Sequence, residues 1–129
     1  MYYTDKTILF LDNKWVKSTD GKTDLYSQTL HYGEGVFEGI RSYKTEKGTK
    51  LFKAKEQFER LHYSAQKMHI KIPYSIDELT SLSYELLKKK QFRRCLHPSY
   101  GILRTKHDTS TKRKCTCNAL CMGMGEILR

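Results

Sequence analysis

The sequence predicts an α+β domain, an antiparallel sheet carrying two helices. Three observations predict it. A two-residue Asx turn joins two β-prone runs near the start. An apolar–polar alternation begins at residue 35. After residue 57 the apolar spacing changes from two to three and four.

Ile8-Leu9-Phe10-Leu11 and Lys14-Trp15-Val16-Lys17 flank Asp12-Asn13, which reads as a hairpin. Ser18 to Lys22 is a polar loop with Asp20-Gly21 as a turn. Val36 to Tyr43 alternates as a strand should. Glu46-Lys47-Gly48 turns the chain, and Thr49 to Lys53 is the antiparallel partner. Phe58, Leu61, Ala65 and Met68 then fall on one helical face. Ile70 to Pro73 ends that helix. Ser75-Ile76-Asp77-Glu78 has the spacing of a capping box, and Leu79, Leu82, Leu86 and Leu87 carry a second helix to Lys90. There is no internal repeat.

At 129 residues the chain has room for one domain. With 38% hydrophobic and 29% charged residues it has the balance of a soluble globular protein. No apolar run approaches the roughly 20 residues of a membrane helix. Met1 to Lys6 lacks the pattern of a secretory signal, so a cytoplasmic setting is expected. The net charge of +10 raises the question of nucleic acid, but its distribution argues against that. Through residue 90 there are 16 Lys/Arg against 12 Asp/Glu, and after it 8 against 2. Cys95, Cys115, Cys117 and Cys121 also all lie after residue 90. The break sets 1–90 apart as an incomplete domain and 91–129 as a basic, Cys-rich tail, expected to be poorly ordered.

The informative stretch is Leu30-His31-Tyr32-Gly33-Glu34-Gly35-Val36-Phe37-Glu38-Gly39-Ile40-Arg41. From the residues alone it is a glycine-punctuated loop running into a strand. Gly33, Gly35 and Gly39 allow close backbone approach. Tyr32, Phe37 and Arg41 supply aromatic walls and a cation. That is a ligand site or a hairpin with packed aromatics.

The string closely resembles the motif of branched-chain amino acid aminotransferases, in the fold-type IV (D-amino acid aminotransferase-like) class of pyridoxal-phosphate enzymes. Ser27-Gln28-Thr29 before it, Phe58-Glu59-Arg60-Leu61-His62-Tyr63-Ser64-Ala65 after it, and Ser75 to Leu79 continue the resemblance over residues 7–90. The resemblance implies the N-terminal domain of that architecture, with pyridoxal 5′-phosphate as cofactor. It implies amino-group exchange between Leu, Ile or Val and 2-oxoglutarate, in a homodimer when full length. Arg60 matches the arginine that holds the cofactor phosphate, and a guanidinium fork suits phosphate oxygens. Tyr32, Phe37 and Gly39 match the wall that receives the branched side chain, and Arg41 lines the same pocket. His31 and His62 are expected to be structural. The lysine that such enzymes join to the cofactor, and the acidic partner of the pyridine nitrogen, fall in a second domain. No catalytic residue is therefore expected within these residues, and the chain alone is expected to be inactive. Two alternatives stand beside this reading. One is another fold-type IV enzyme, acting on a D-amino acid or aminodeoxychorismate, against which Phe37 to Arg41 speaks. The other is a small basic binding module using the tail.

The tail departs from the family. After Lys90 the resemblance calls for Asp-Ala-Tyr-Ile-Arg-Pro, Gly-Pro-Asn-Met and Ala-Trp-Glu-Trp-Gly. Reading each codon from its second base, Met122-Gly123 must give tryptophan, and Met124-Gly125 must give it again. Gly123-Met124 permits the glutamate between them. Arg94 to Tyr100 permits Asp-Ala-Tyr-Ile-Arg-Pro, and Arg104 to Asp108 permits Gly-Pro-Asn-Met. Lys88-Lys89-Lys90 just upstream is a natural place for a one-base slip. A frameshifted tail also accounts for its charge and cysteines. The spacing of Cys115, Cys117 and Cys121 with His97 and His107 lacks the paired motif of common zinc sites, so no metal is expected. Lys112-Arg113-Lys114 is likewise not taken as a nucleic-acid or targeting patch.

Overall fold

The computed structural model describes residues 7–89, 96–106 and 115–124. The first hairpin forms where the Asx turn places it: β1 (Ile8–Leu11) pairs with β2 (Lys14–Lys17), with Leu11 opposite Lys14. Asp12 and Asn13 take φ of 49° and 63°. Both are left-handed, as a two-residue turn matching strand twist requires, and short Asx side chains tolerate it.

A short helix, α1 (Gln28–Tyr32), stands where the sequence reads as a loop. The Ser27 hydroxyl accepts from the Leu30 amide at one end. Gly33, at φ 67°, closes the other, its amide bonded to the Thr29 carbonyl. Both are ordinary capping signals. β3 (Gly35–Thr45) and β4 (Gly48–Leu51) form the second hairpin, with Gly48 at φ 101°. Lys53 leaves the strand and takes φ 49° ahead of α2 (Ala54–Lys67), with no side-chain cap. β5 (Ile70–Lys71) follows. α3 (Ile76–Lys89) opens on the capping box: Ser75 Oγ accepts from the Glu78 amide, and the Glu78 carboxylate accepts from the Ser75 amide at 2.7 Å.

Two strands lie in the tail, β6 (Leu96–Lys106) and β7 (Cys115–Met124). In these two stretches the tail is extended sheet. The Lys112-Arg113-Lys114 run, His107 and Cys95 lie outside the described residues. The seven-stranded sheet runs β2-β1-β7-β6-β3-β4, with β5 joined to β7. Every pairing is antiparallel except that of β5 with β7. The architecture is thus α+β, with the expected two main helices, and one short helix besides among the described residues.

The described core lies between α2, α3 and one face of the first and second hairpins. Phe58, Leu61 and Ala65 of α2 and Leu79, Leu86 and Leu87 of α3 meet Phe10, Val36, Ile40 and Leu51. Each buried leucine contributes about 1.5–3 kcal/mol by leaving water. Tyr74, hydrogen-bonded to Asn13, ties the loop before α3 to the first hairpin turn.

Candidate functional site

β3 divides the candidate residues. Its period of two sends Val36, Glu38, Ile40 and Ser42 into the core and Phe37, Gly39, Arg41 and Tyr43 outward. Phe37 is 73% exposed, and Tyr32, at the end of α1, is 74% exposed. Leu25, Tyr26 and Tyr63 are exposed to a similar degree, so exposure alone does not single these two out. Arg41 makes no side-chain hydrogen bond or ion pair among the described residues. Tyr43 meets Phe52 of the neighbouring hairpin arm edge-on at 6.1 Å. Phe37, Gly39 and Arg41 therefore share one open face, as their spacing predicts.

Arg60 approaches from the other side. It rides on α2, which packs against the core face of β3. Its Nε donates to Glu38 Oε2 at 2.7 Å, and its Nη2 donates to Glu38 Oε1 at 2.5 Å. Nη2 also donates to Gln57 Oε1 at 3.0 Å. Glu38 Oε1 accepts the Gly39 amide as well. The two side chains differ sharply in exposure, 65% for Arg60 and 7% for Glu38. The hydrogen bond from Arg60 holds the Glu38 carboxyl below the usual carboxylate range. Burial opposes that shift, while the Gly39 amide and the nearby positive charge add to it. Arg60 is correspondingly held above its ordinary value by the same pair. Among the described residues, the two N–H groups of Arg60 Nη1 have no partner.

The structure thus brings Arg60 to Glu38 and gathers Phe37, Gly39 and Arg41 on the opposite face of the same strand. Glu38, the partner of Arg60, is not among the residues that the sequence singles out. Its signal was present, since a carboxylate at an inward position of an alternating strand must find a partner. Among the described residues, two buried polar atoms, Ser42 Oγ and His62 Nε2, have no hydrogen-bond partner. Among the described residues no group of three or more His, Cys, Asp or Glu could hold a metal. No helix among them is long and apolar enough to cross a membrane.

No family model matches the chain. The branched-chain-amino-acid aminotransferase of Pseudomonas aeruginosa is 43% identical over 72 residues, 56% of this chain and 24% of that protein. The solved branched-chain aminotransferase of Thermoproteus uzoniensis, with norvaline, superposes with a TM-score of 0.76 at 26% identity, over 91% of this chain and 39% of that one. A second solved branched-chain amino acid aminotransferase, from T.th. and complexed with N-(5′-phosphopyridoxyl)-L-glutamate, gives 0.76 at 26% identity, over 92% and 39%. The fold is the α+β arrangement of the N-terminal part of solved fold-type IV aminotransferases. Within that class, the chain is similar to the N-terminal part of branched-chain amino acid aminotransferases. It spans about a quarter of the length of the curated relatives it matches.

Proposed function

We propose that residues 7–89 form the phosphate-holding and side-chain-receiving part of a pyridoxal-phosphate-dependent branched-chain amino acid aminotransferase. The observation that carries this is the Arg60 guanidinium, fixed on Glu38 with Nη1 unspent. A phosphate is a dianion with oxygens spaced for such donors. When bound, pyridoxal phosphate supplies the electron sink that lets an amino group leave one carbon skeleton for another. The residues of this chain do the holding. Arg60 fixes the phosphate end. Tyr32, Phe37 and the bare backbone at Gly39 form an apolar wall for the aliphatic side chain, and Arg41 supplies a cation on the same face. An apolar wall favours Leu, Ile or Val over a smaller side chain by about 1–3 kcal/mol per methylene-sized difference. The phosphopyridoxyl compound bound by one of the solved relatives supports the same ligand chemistry.

The reading extends to a cytoplasmic homodimer for the complete enzyme, with a second domain supplying the lysine. The 129-residue chain alone is expected to give no turnover. The test replaces the matching segment of the Escherichia coli aminotransferase with residues 7–89. Transamination of leucine with 2-oxoglutarate by the chimaera, with a raised pyridoxal phosphate requirement for Arg60→Gln, is the expected result. A folded chimaera indifferent to Arg60 refutes the reading.

For the tail we propose a translation out of frame from about residue 91. Sequence similarity to the relatives covers 72 to 86 residues, while the structural likeness covers 91–92% of the chain. Pro98 also stands in β6 opposite Arg41, in a strand interior to the sheet. Proline is rarely placed in such a strand because it lacks the ladder donor. The nucleotide sequence past the Lys90 codon decides the matter; without Trp-x-Trp in the shifted frame, the idea fails.

A further inference from the structure

We propose that Glu38 is a positioning residue for the phosphate site, resting on the assignment of Arg60 as the phosphate's partner. The pair is bidentate, at 2.7 and 2.5 Å, and asymmetric in exposure. Glu38 is the immobile member. Its backbone lies within β3, paired to β6, and its side chain is enclosed by the core. Arg60 is the exposed member, on a long side chain that would otherwise sample many rotamers. The carboxylate takes the Nε–Nη2 edge of the guanidinium. Gln57 takes one further N–H of Nη2. The edge that remains is Nη1, turned away from the strand's anchor. A donor held this way needs no reordering when an anion arrives.

The same pair has an opposite consequence, which makes the proposal decidable. A carboxylate beside the guanidinium cancels its charge, and this weakens attraction for any anion. If Glu38 acts chiefly as a charge partner, removing its charge must strengthen phosphate binding. If it acts by positioning, removing it must weaken binding even though the site becomes more positive. Ordering one long side chain corresponds to about two- to tenfold in affinity.

The probe is inorganic phosphate, titrated into the 15N-labelled 129-residue chain. The reporter is the Arg60 Nε–H resonance, identified by its loss in Arg60→Lys. Wild type should show a saturable shift. Glu38→Asp keeps the charge but withdraws the fork, and Glu38→Gln keeps the length but replaces one acceptor with a donor. Both should bind phosphate about two- to tenfold more weakly while the amide spectrum of α2 and α3 is retained. Equal or tighter binding in either folded variant overturns the proposal. A wild-type chain with no saturable shift at Arg60 overturns the phosphate assignment itself, and the positioning role with it. Should both variants unfold, the wild type still decides. Before phosphate is added, the Arg60 Nε–H should exchange with water slowly and behave as rigid. Exchange as fast as that of Arg41 refutes the positioning role.

Discussion

The two faces of β3 are built from adjacent residues and answer to different demands. The inward set, Val36, Glu38, Ile40 and Ser42, is buried against α2 and α3. The outward set, Phe37, Gly39, Arg41 and Tyr43, is open to solvent. On the inward face, residue identity is fixed by packing: an aliphatic fits, and the one carboxylate is matched by an arginine. On the outward face nothing within the described residues explains why a phenylalanine should stand at 37. Under the proposed function it stands there to meet a ligand. A single strand therefore separates a packed face from an open one.

The largest expected effect is on the inward face. Ile40→Ala removes a side chain that is 4% exposed in the centre of the core. It should destabilise by about 2–5 kcal/mol, read from urea unfolding followed by circular dichroism. A loss no larger than that of an outward substitution would break the division of faces.

The next effect concerns pH. Glu38 has its carboxyl lowered, chiefly by the hydrogen bond from Arg60. A lowered carboxyl contributes stability that is full above the unfolded-state value, about 4.3, and is lost as pH falls through the lower folded value. Arg60→Gln should therefore narrow the stability gap from wild type as pH drops below about 4.3. At neutral pH the gap should be at its widest. The unfolding midpoint of both proteins between neutral and acid pH tests the sign. A gap that widens in acid would mean that Glu38 is not the group stabilised.

Much of this arrangement was legible in the sequence, and the exceptions share a cause. The first hairpin, β3, the turn at Glu46-Lys47 and the Ser75–Glu78 box are set by neighbours in the chain, so local pattern suffices. α1 was also local, with Ser27 and Gly33 as its caps, but its five residues are too few to show a period. The insertion of β6 and β7 between β3 and β1 joins segments far apart in sequence, which no local signal specifies. The Glu38–Arg60 pair spans 22 positions. Alternation says that Glu38 points inward, but only the packing of α2 on β3 says which cation it meets. Phe37, Gly39 and Arg41 could be placed on one face from their spacing alone. The position of Arg60 on the other side could not.

A smaller effect, of opposite sign, belongs to Ser42. Its hydroxyl is buried, at 1% exposure, without a hydrogen-bond partner among the described residues. Removing an unpaired buried hydroxyl relieves its desolvation, while the lost volume is small. Ser42→Ala should leave stability unchanged or raise it by up to about 1 kcal/mol. A clear loss in thermal unfolding would show that the hydroxyl has a partner, and that the inward face is less dry than its neighbours indicate.

The smallest effect on stability should be at Phe37, and it sharpens the comparison most. At 73% exposure its ring contributes little burial, so Phe37→Ala should change stability by no more than about 0.5 kcal/mol. Within the aminotransferase chimaera the same substitution should depress kcat/KM for leucine about ten- to 200-fold relative to alanine as substrate, because the larger aliphatic group loses its wall. The two measurements must diverge for the division of faces to hold. If Phe37→Ala instead costs as much stability as Ile40→Ala, the outward face is core that the described residues do not cover. If stability and leucine preference are both untouched, Phe37 is an ordinary exposed residue. Only a stable protein that no longer distinguishes a branched side chain from a methyl group assigns the outward face of β3 to substrate.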